Sequence, residues 1–230
     1  MKSRNTRHAL LFGAMLTATT ACVSLQNGKL YPPISSTEPI VSNPGQSNGS
    51  SPHGGRARSS RKIVTVNLEG QATQMELQLF QQDALPFTTY YPVSGFTPEV
   101  AQSESHQSTI AQFYFSPTGT KDDEAYVKVF FPHRSVSLEA IQDLVLGEQG
   151  LLVNNQWELV DRTNIVSYPW ATEKLIYQHR DQNSEMSVGS IYIGQEGDYT
   201  FYVVTHYPIE YGDGFEPRSS IVLENLQFAD

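Results

Sequence analysis

Residues 173–207, EKLIYQHRDQNSEMSVGSIYIGQEGDYTFYVVTHY, hold three strand-like runs: Glu173 to Arg180, Met186 to Gly194 and Tyr199 to Tyr207. The links between them, DQNS and QEGD, are short and rich in turn formers, so the runs predict an antiparallel meander. The second run sets Val188 and Tyr192 against Ile191 and Ile193, and the third sets Tyr199, Phe201 and Val203 against Tyr202 and Val204. A strand that is apolar on both sides must be covered on both sides. That places these two in the middle of a sheet, with helices or loops above and below.

Working outward, earlier segments also alternate. Val64, Val66 and Leu68 share one side of a run from Ile63 to Glu69, and Met75, Leu77 and Leu79 share one side of the next. Phe87 to Tyr91 is a short aromatic strand, and Thr109 to Phe115 and Ala125 to Phe131 (AYVKVFF) are longer ones. The period then changes. Ser137 is a good N-cap, and Leu138, Ile141, Leu144 and Val145 fall on one helical face. A second helix is predicted from Pro217 at its first position, with Ser219, Val222, Leu223 and Leu226 in register. Strands, helix, strands and helix predict an α+β fold, an antiparallel sheet layered with helices.

The same layout resembles the PsbP-like superfamily over residues 75–228. In that family an aromatic strand ends in Tyr-Pro before Gly-Trp; here Phe87 to Pro92 (FTTYYP) precedes Gly95-Phe96, with Phe in place of the Trp. A Val-x-Val strand ending in Pro follows, here Val127 to Pro132, then a helix, the late meander, and a closing helix ending at Phe228. The resemblance implies a layered α+β domain and carries over no metal-binding signature.

The N-terminus reads separately. Met1 to His8 carries Lys2, Arg4 and Arg7 and no acid, and Ala9 to Ala21 is uncharged and apolar or small. That is the pattern of a secretory signal, predicted over residues 1–21. The apolar run is well short of the roughly 20 residues needed to span a bilayer. Thr19-Thr20-Ala21-Cys22 resembles the bacterial lipoprotein signal, which implies cleavage before Cys22, a diacylglyceryl thioether on its sulfur and an acylated amine. Ordinary cleavage after Ala21 is the alternative and leaves a free thiol. Cys22 is the only cysteine, so no internal disulfide and no thiolate metal cluster is possible within one chain. Residues 22–61 then form the lipidated N-terminus and a Ser-, Pro- and Gly-rich linker, too poor in core-forming side chains to fold. Residues 62–230 are long enough for a single globular domain.

Charge divides at the same place. Seven of the 15 bases but one of the 24 acids lie in residues 1–61, leaving eight bases against 23 acids beyond. Such a domain repels nucleic acid and anionic lipid, so the membrane is reached through the lipid and any other partner is a protein. Nucleotide-binding glycine loops, a nucleophile elbow and zinc-protease histidines are missing from the sequence, and no cofactor is implied. The histidines of the domain are His106, His133, His179 and His206, none at ligand spacing from another; His53 lies in the linker. His179 and His206 fall on strands of the meander and are expected either to be hydrogen-bonded within the fold or to approach each other. Asp122-Asp123-Glu124 reads as a solvated turn, and Tyr207 to Pro217 as a loop that closes the core or docks a partner. No catalytic residue and no metal ligand is predicted. The sequence thus predicts a lipid-anchored binding or assembly-accessory protein at the extracytoplasmic face of a bacterial membrane (outer membrane, or the periplasmic or thylakoid side). The alternative is an envelope enzyme with a convergent site.

Overall fold

The computed structural model describes residues 58–68, 70–103, 107–181 and 184–229. The signal sequence, Cys22, His53, His106 and most of the linker lie outside the described residues.

Two antiparallel sheets carry the fold. The smaller begins with a hairpin of β1 (Arg61–Leu68) and β2 (Gln71–Gln81), turned at Gly70 with φ of +79°. Adding β3 (Phe87–Pro92) and the short β11 (Gln227–Phe228) gives the order β1-β2-β3-β11. The larger sheet is built from two meanders. One is β4 (Phe96–Ser103), β5 (Ser108–Phe115) and β6 (Asp122–Pro132). The other is β7 (Glu158–Thr163), β8 (Ala171–Arg180), β9 (Met186–Glu196) and β10 (Tyr199–Pro208). They join through β6 and β10, giving the order β4-β5-β6-β10-β9-β8-β7.

That order dictates where the helices go. The chain leaves β6 at the centre of the large sheet and re-enters at β7, its far edge. It crosses through α1 (Leu138–Leu146) and α2 (Leu151–Asn154), so these helices lie over one face. Ser137 caps α1, its hydroxyl accepting from the Ala140 N–H at 3.2 Å. Ile141, Val145, Leu151 and Leu152 pack from there on Leu175, Ile191, Ile193, Tyr202 and Val204.

The other face is closed by the small sheet together with α3 (Gly212–Glu224), entered through a 3-10 turn at Ile209–Tyr211. Phe80, Leu85 and Phe87 meet Phe113, Val127, Val129, Phe201 and Val203 across this layer, with Val222 and Leu223 from α3. Both sides of β10 are consequently sealed: Phe201 and Val203 are 0% exposed, and Tyr202 and Val204 only 2% and 1%.

The expectation of an α+β domain, an antiparallel sheet layered with helices, is corrected by this arrangement. The molecule is β-rich. Residues 61–92 do not extend the main sheet but form a second one, and that sheet covers one of the faces assigned to helices. Residues that are apolar on both sides report that a strand is covered, not what covers it. The layered α+β layout implied by the PsbP-like resemblance is replaced with it. α3 also begins before its expected start, so Pro217 sits inside the helix rather than at its first position.

The linker boundary moves as well. Arg58 to Arg61, placed with the linker on composition, pack against the small sheet. Arg58 donates to Thr88 Oγ1 at 2.7 Å and to the Asn225 carbonyl at 3.1 Å. Arg58 and Lys62 lie 4.4 and 4.0 Å from the ring centre of Tyr90, and the Tyr90 hydroxyl donates to the Ser59 carbonyl at 2.7 Å. The chain is therefore fastened to the last turn of α3 before β1 starts.

Candidate functional site

The helix-covered face of the large sheet holds the polar side chains that could do chemistry. Antiparallel register sets Tyr126 of β6 opposite His206 of β10, His206 opposite Gly189 of β9, and Gly189 opposite Tyr177 of β8. One step along the strands, Gln112 of β5 is opposite Lys128 of β6, which is opposite Val204. Residues opposite each other share a face, so these two rows lie side by side.

Gly189 is what lets the first row close. A Cβ there would sit 1.9 Å from the Thr205 carbonyl oxygen and 2.5 Å from the Tyr177 hydroxyl, so no other residue fits. In the space left free, the Tyr177 hydroxyl reaches across β9 to the Thr205 carbonyl at 3.0 Å and to His206 Nδ1 at 2.9 Å. A phenol has one proton to give. Both contacts are satisfied when Tyr177 donates to Thr205 and Nδ1–H donates to the Tyr177 oxygen, which assigns His206 to its Nδ1–H tautomer.

Aromatic rings enclose the imidazole. Trp157, just before β7, stacks on Tyr177 with centroids 4.1 Å apart and on His206 at 5.2 Å; Tyr126 stacks on His206 at 5.3 Å. His206 is 5% exposed. This desolvation, with the charges of Lys128 and His179, pushes its pKa down to about 4, so the ring is neutral at physiological pH. Burial pushes the Tyr177 and Tyr126 phenols up, and both stay protonated.

Lys128 is the unusual member. Its ammonium lies 4.7 Å from the centre of the Tyr126 ring. No carboxylate pairs with it among the described residues. Desolvation alone pushes its pKa down to about 8.

The other residues singled out from the sequence are placed elsewhere. His133 is bonded through Nε2 to Thr109 Oγ1 at 2.8 Å, and His179 through Nδ1 to the Gln156 carbonyl at 3.2 Å. His179 and His206 share a face, but neither has a carboxylate as hydrogen-bond partner among the described residues. No group of three His, Cys, Asp or Glu that would hold a metal occurs among the described residues either. Asp122, Asp123 and Glu124, expected as a solvated turn, instead open β6; the Asp122 carboxylate accepts from the Glu124 N–H, while Lys121 pairs with Glu99 and Asp123. Residues 207–217 close the core: Phe215 is buried against Phe96 and Phe115, and Tyr207 donates to Glu216. Sequence reasoning passed over Lys128, Tyr177 and Trp157. A signal was present for the first, a lone cation inside AYVKVFF, where alternation places it on a covered face.

A second feature lies at the sheet edge. Of the seven large apolar residues exposed among those described, four fall at Val153, Leu159, Val160 and Ile165, on and around β7. The edge itself is guarded. Pairing with β8 is irregular between Leu159 and Asp161, the Asp161 carboxylate accepts from the Arg162 N–H, and Thr163 Oγ1 accepts from the Ile165 N–H. A bulge and self-satisfied donors discourage continuation of the sheet, while leaving the apolar side chains on view.

No family model matches the chain, and no curated protein matches it. Among solved structures, a protein of Bacteroides thetaiotaomicron VPI-5482, determined at 1.50 Å resolution, is similar at 15% sequence identity and a TM-score of 0.40. The match covers 66% of this chain and 48% of that one, so the chain spans about half the length of that protein.

Proposed function

We propose that the chain is a lipid-anchored binding or assembly-accessory protein on the extracytoplasmic side of a bacterial membrane. The observation that carries this reading is Cys22, the sole cysteine, at the cleavage position of a basic and then apolar leader. Two or more acyl chains give stable anchoring where one gives only marginal binding. No helix among the described residues is long and apolar enough to cross a membrane. The sequence leaves 35 residues between Cys22 and Arg58 as a spacer between lipid and domain. The membrane is thus one partner through the lipid. A protein is the other, and the exposed apolar side chains around β7 are the surface we assign to it.

The test is metabolic labelling in a bacterial host. Radiolabelled palmitate should enter the wild type and be absent from Cys22→Ala, which should accumulate as uncleaved precursor. Equal labelling of the two would end the proposal.

A further inference from the structure

We propose that β1 is a docking edge for a second copy of this chain, the two β1 strands pairing antiparallel about Thr65 and joining the small sheets of two molecules. This pairing depends on neither the lipid nor the apolar side chains around β7.

An unprotected sheet edge recruits further strands. The edges of the two sheets are β4, β7, β1 and β11, and they are not protected alike. β7 has its irregular pairing and self-satisfied donors, β4 carries Pro98, and β11 is two residues long. β1 has none of these devices. It runs for eight residues without proline, in unbroken register with β2 from Arg61 opposite Gln78 to Leu68 opposite Gln71. Among the described residues no strand lies beyond it. Ile63 stands on this strand 70% exposed.

The register shows which groups the edge offers. The Ser60 carbonyl accepts from the Leu79 N–H at 2.9 Å, one step before the pair of Arg61 and Gln78. Bonding alternates along an antiparallel pair, so Lys62, Val64, Val66 and Leu68 bond to β2. Ile63, Thr65 and Asn67 then aim their N–H and C=O groups at the open edge. The Arg61 carbonyl is already taken, by the Ser59 hydroxyl at 2.7 Å.

The sequence of β1 is complementary to itself. A two-fold axis at Thr65 sets Thr65 against Thr65 and Ile63 against Asn67, each pair exchanging two main-chain bonds. On the α3 side it sets Val64 beside Val66. Both are half-buried at the margin of the cluster of Met75, Leu77, Tyr90 and Ile221, so each copy covers apolar surface that the other leaves open. Lys62 meets Leu68, and one step further Arg61 meets Glu69 of the second copy, opposite charges at both ends of the joint. No like charges face each other, although the domain as a whole is acidic. A single pair of strands buries less than the roughly 1,200 Å² of a stable interface, so the dimer should be weak.

The experiment is sedimentation equilibrium of the full chain in non-ionic detergent, from about 10 μM to about 1 mM. The protein carries Cys22→Ala, so that no disulfide links two copies. It should dimerise with a Kd on the order of 100 μM. Thr65→Pro removes an outward N–H and no bond to β2, and should weaken association about tenfold with an unchanged circular dichroism spectrum. Arg61→Glu should weaken it about threefold, since its exposed pair with Glu76 in the same chain contributes little. Adding Glu69→Arg should restore the affinity, which only the register about Thr65 explains. Three results overturn the proposal: a monomer at every concentration, a dimer indifferent to Thr65→Pro, or a charge reversal that the second substitution does not rescue. A monomer whose Ile63, Thr65 and Asn67 amides still exchange slowly would give the edge to the chain's own earlier residues instead.

Discussion

The two faces of the large sheet are covered in different ways, and they differ in chemistry accordingly. Against the small sheet and α3, the strands present Phe113, Val127, Val129, Phe201 and Val203, all apolar. Against α1 and α2 they present Leu175, Ile191, Ile193 and Val204, but also Gln112, Lys128, Tyr177 and His206. The small sheet and α3 together leave Phe113, Val127, Val129, Phe201 and Val203 at 0% exposure. One nine-residue helix and one single-turn helix close less. Polar groups are tolerated where cover is thinner, and this is where the candidate site lies.

The largest expected effect is on the sheet-covered face. Phe201→Ala should cost about 3–5 kcal/mol, and Val204→Ala, on the helix-covered face of the same strand, about 1–3 kcal/mol. Urea midpoints at unchanged slope measure both. A neutral outcome for either would mean that its face is open and the comparison fails.

Next comes acid sensitivity, which belongs to the helix-covered face alone. The folded pKa of His206 lies near 4, below the 6.5 of the unfolded chain. The unfolded state therefore binds the proton first. The stability contributed by the neutral ring is complete above pH 6.5 and is lost as pH falls toward 4. The loss is on the order of 3 kcal/mol. His206→Gln should flatten this part of the stability–pH curve, whereas Phe201→Ala should shift the curve without changing its shape.

The smallest effect sharpens the boundary of the sheet-covered side. Arg58→Ala removes the bonds to Thr88 and Asn225 and should lower stability by about 1 kcal/mol, because the guanidinium is partly exposed. Shortening the chain to begin at Arg61 should have the same effect. An unchanged thermal midpoint would return residues 58–60 to the linker.

Much of this was legible in the sequence, and the gaps have physical causes. The meander of β8, β9 and β10 follows from DQNS and QEGD, and α1 from Ser137 and the spacing of Ile141 and Val145. The second sheet was not legible, because Val64, Val66 and Met75 specify strands without saying which strands they join. Arg58 looked like linker because its partners, Thr88 and Asn225, are far away in the chain. For the candidate site, the histidine was visible but its setting was not. Tyr177 reaches His206 only because Gly189, a residue on the intervening strand, has no side chain, and a glycine in a strand does not announce whose hydroxyl crosses it.

The central claim is that the helix-covered face holds a buried, neutral histidine beside an unpaired amine. The most direct test is an NMR titration of the His206 imidazole in the folded protein. The account predicts Nδ1–H tautomer shifts that stay constant from pH 8 down to about 5, with an inflection near pH 4. An inflection at pH 6 or above would show a ring open to water or paired with an acid, and would contradict it.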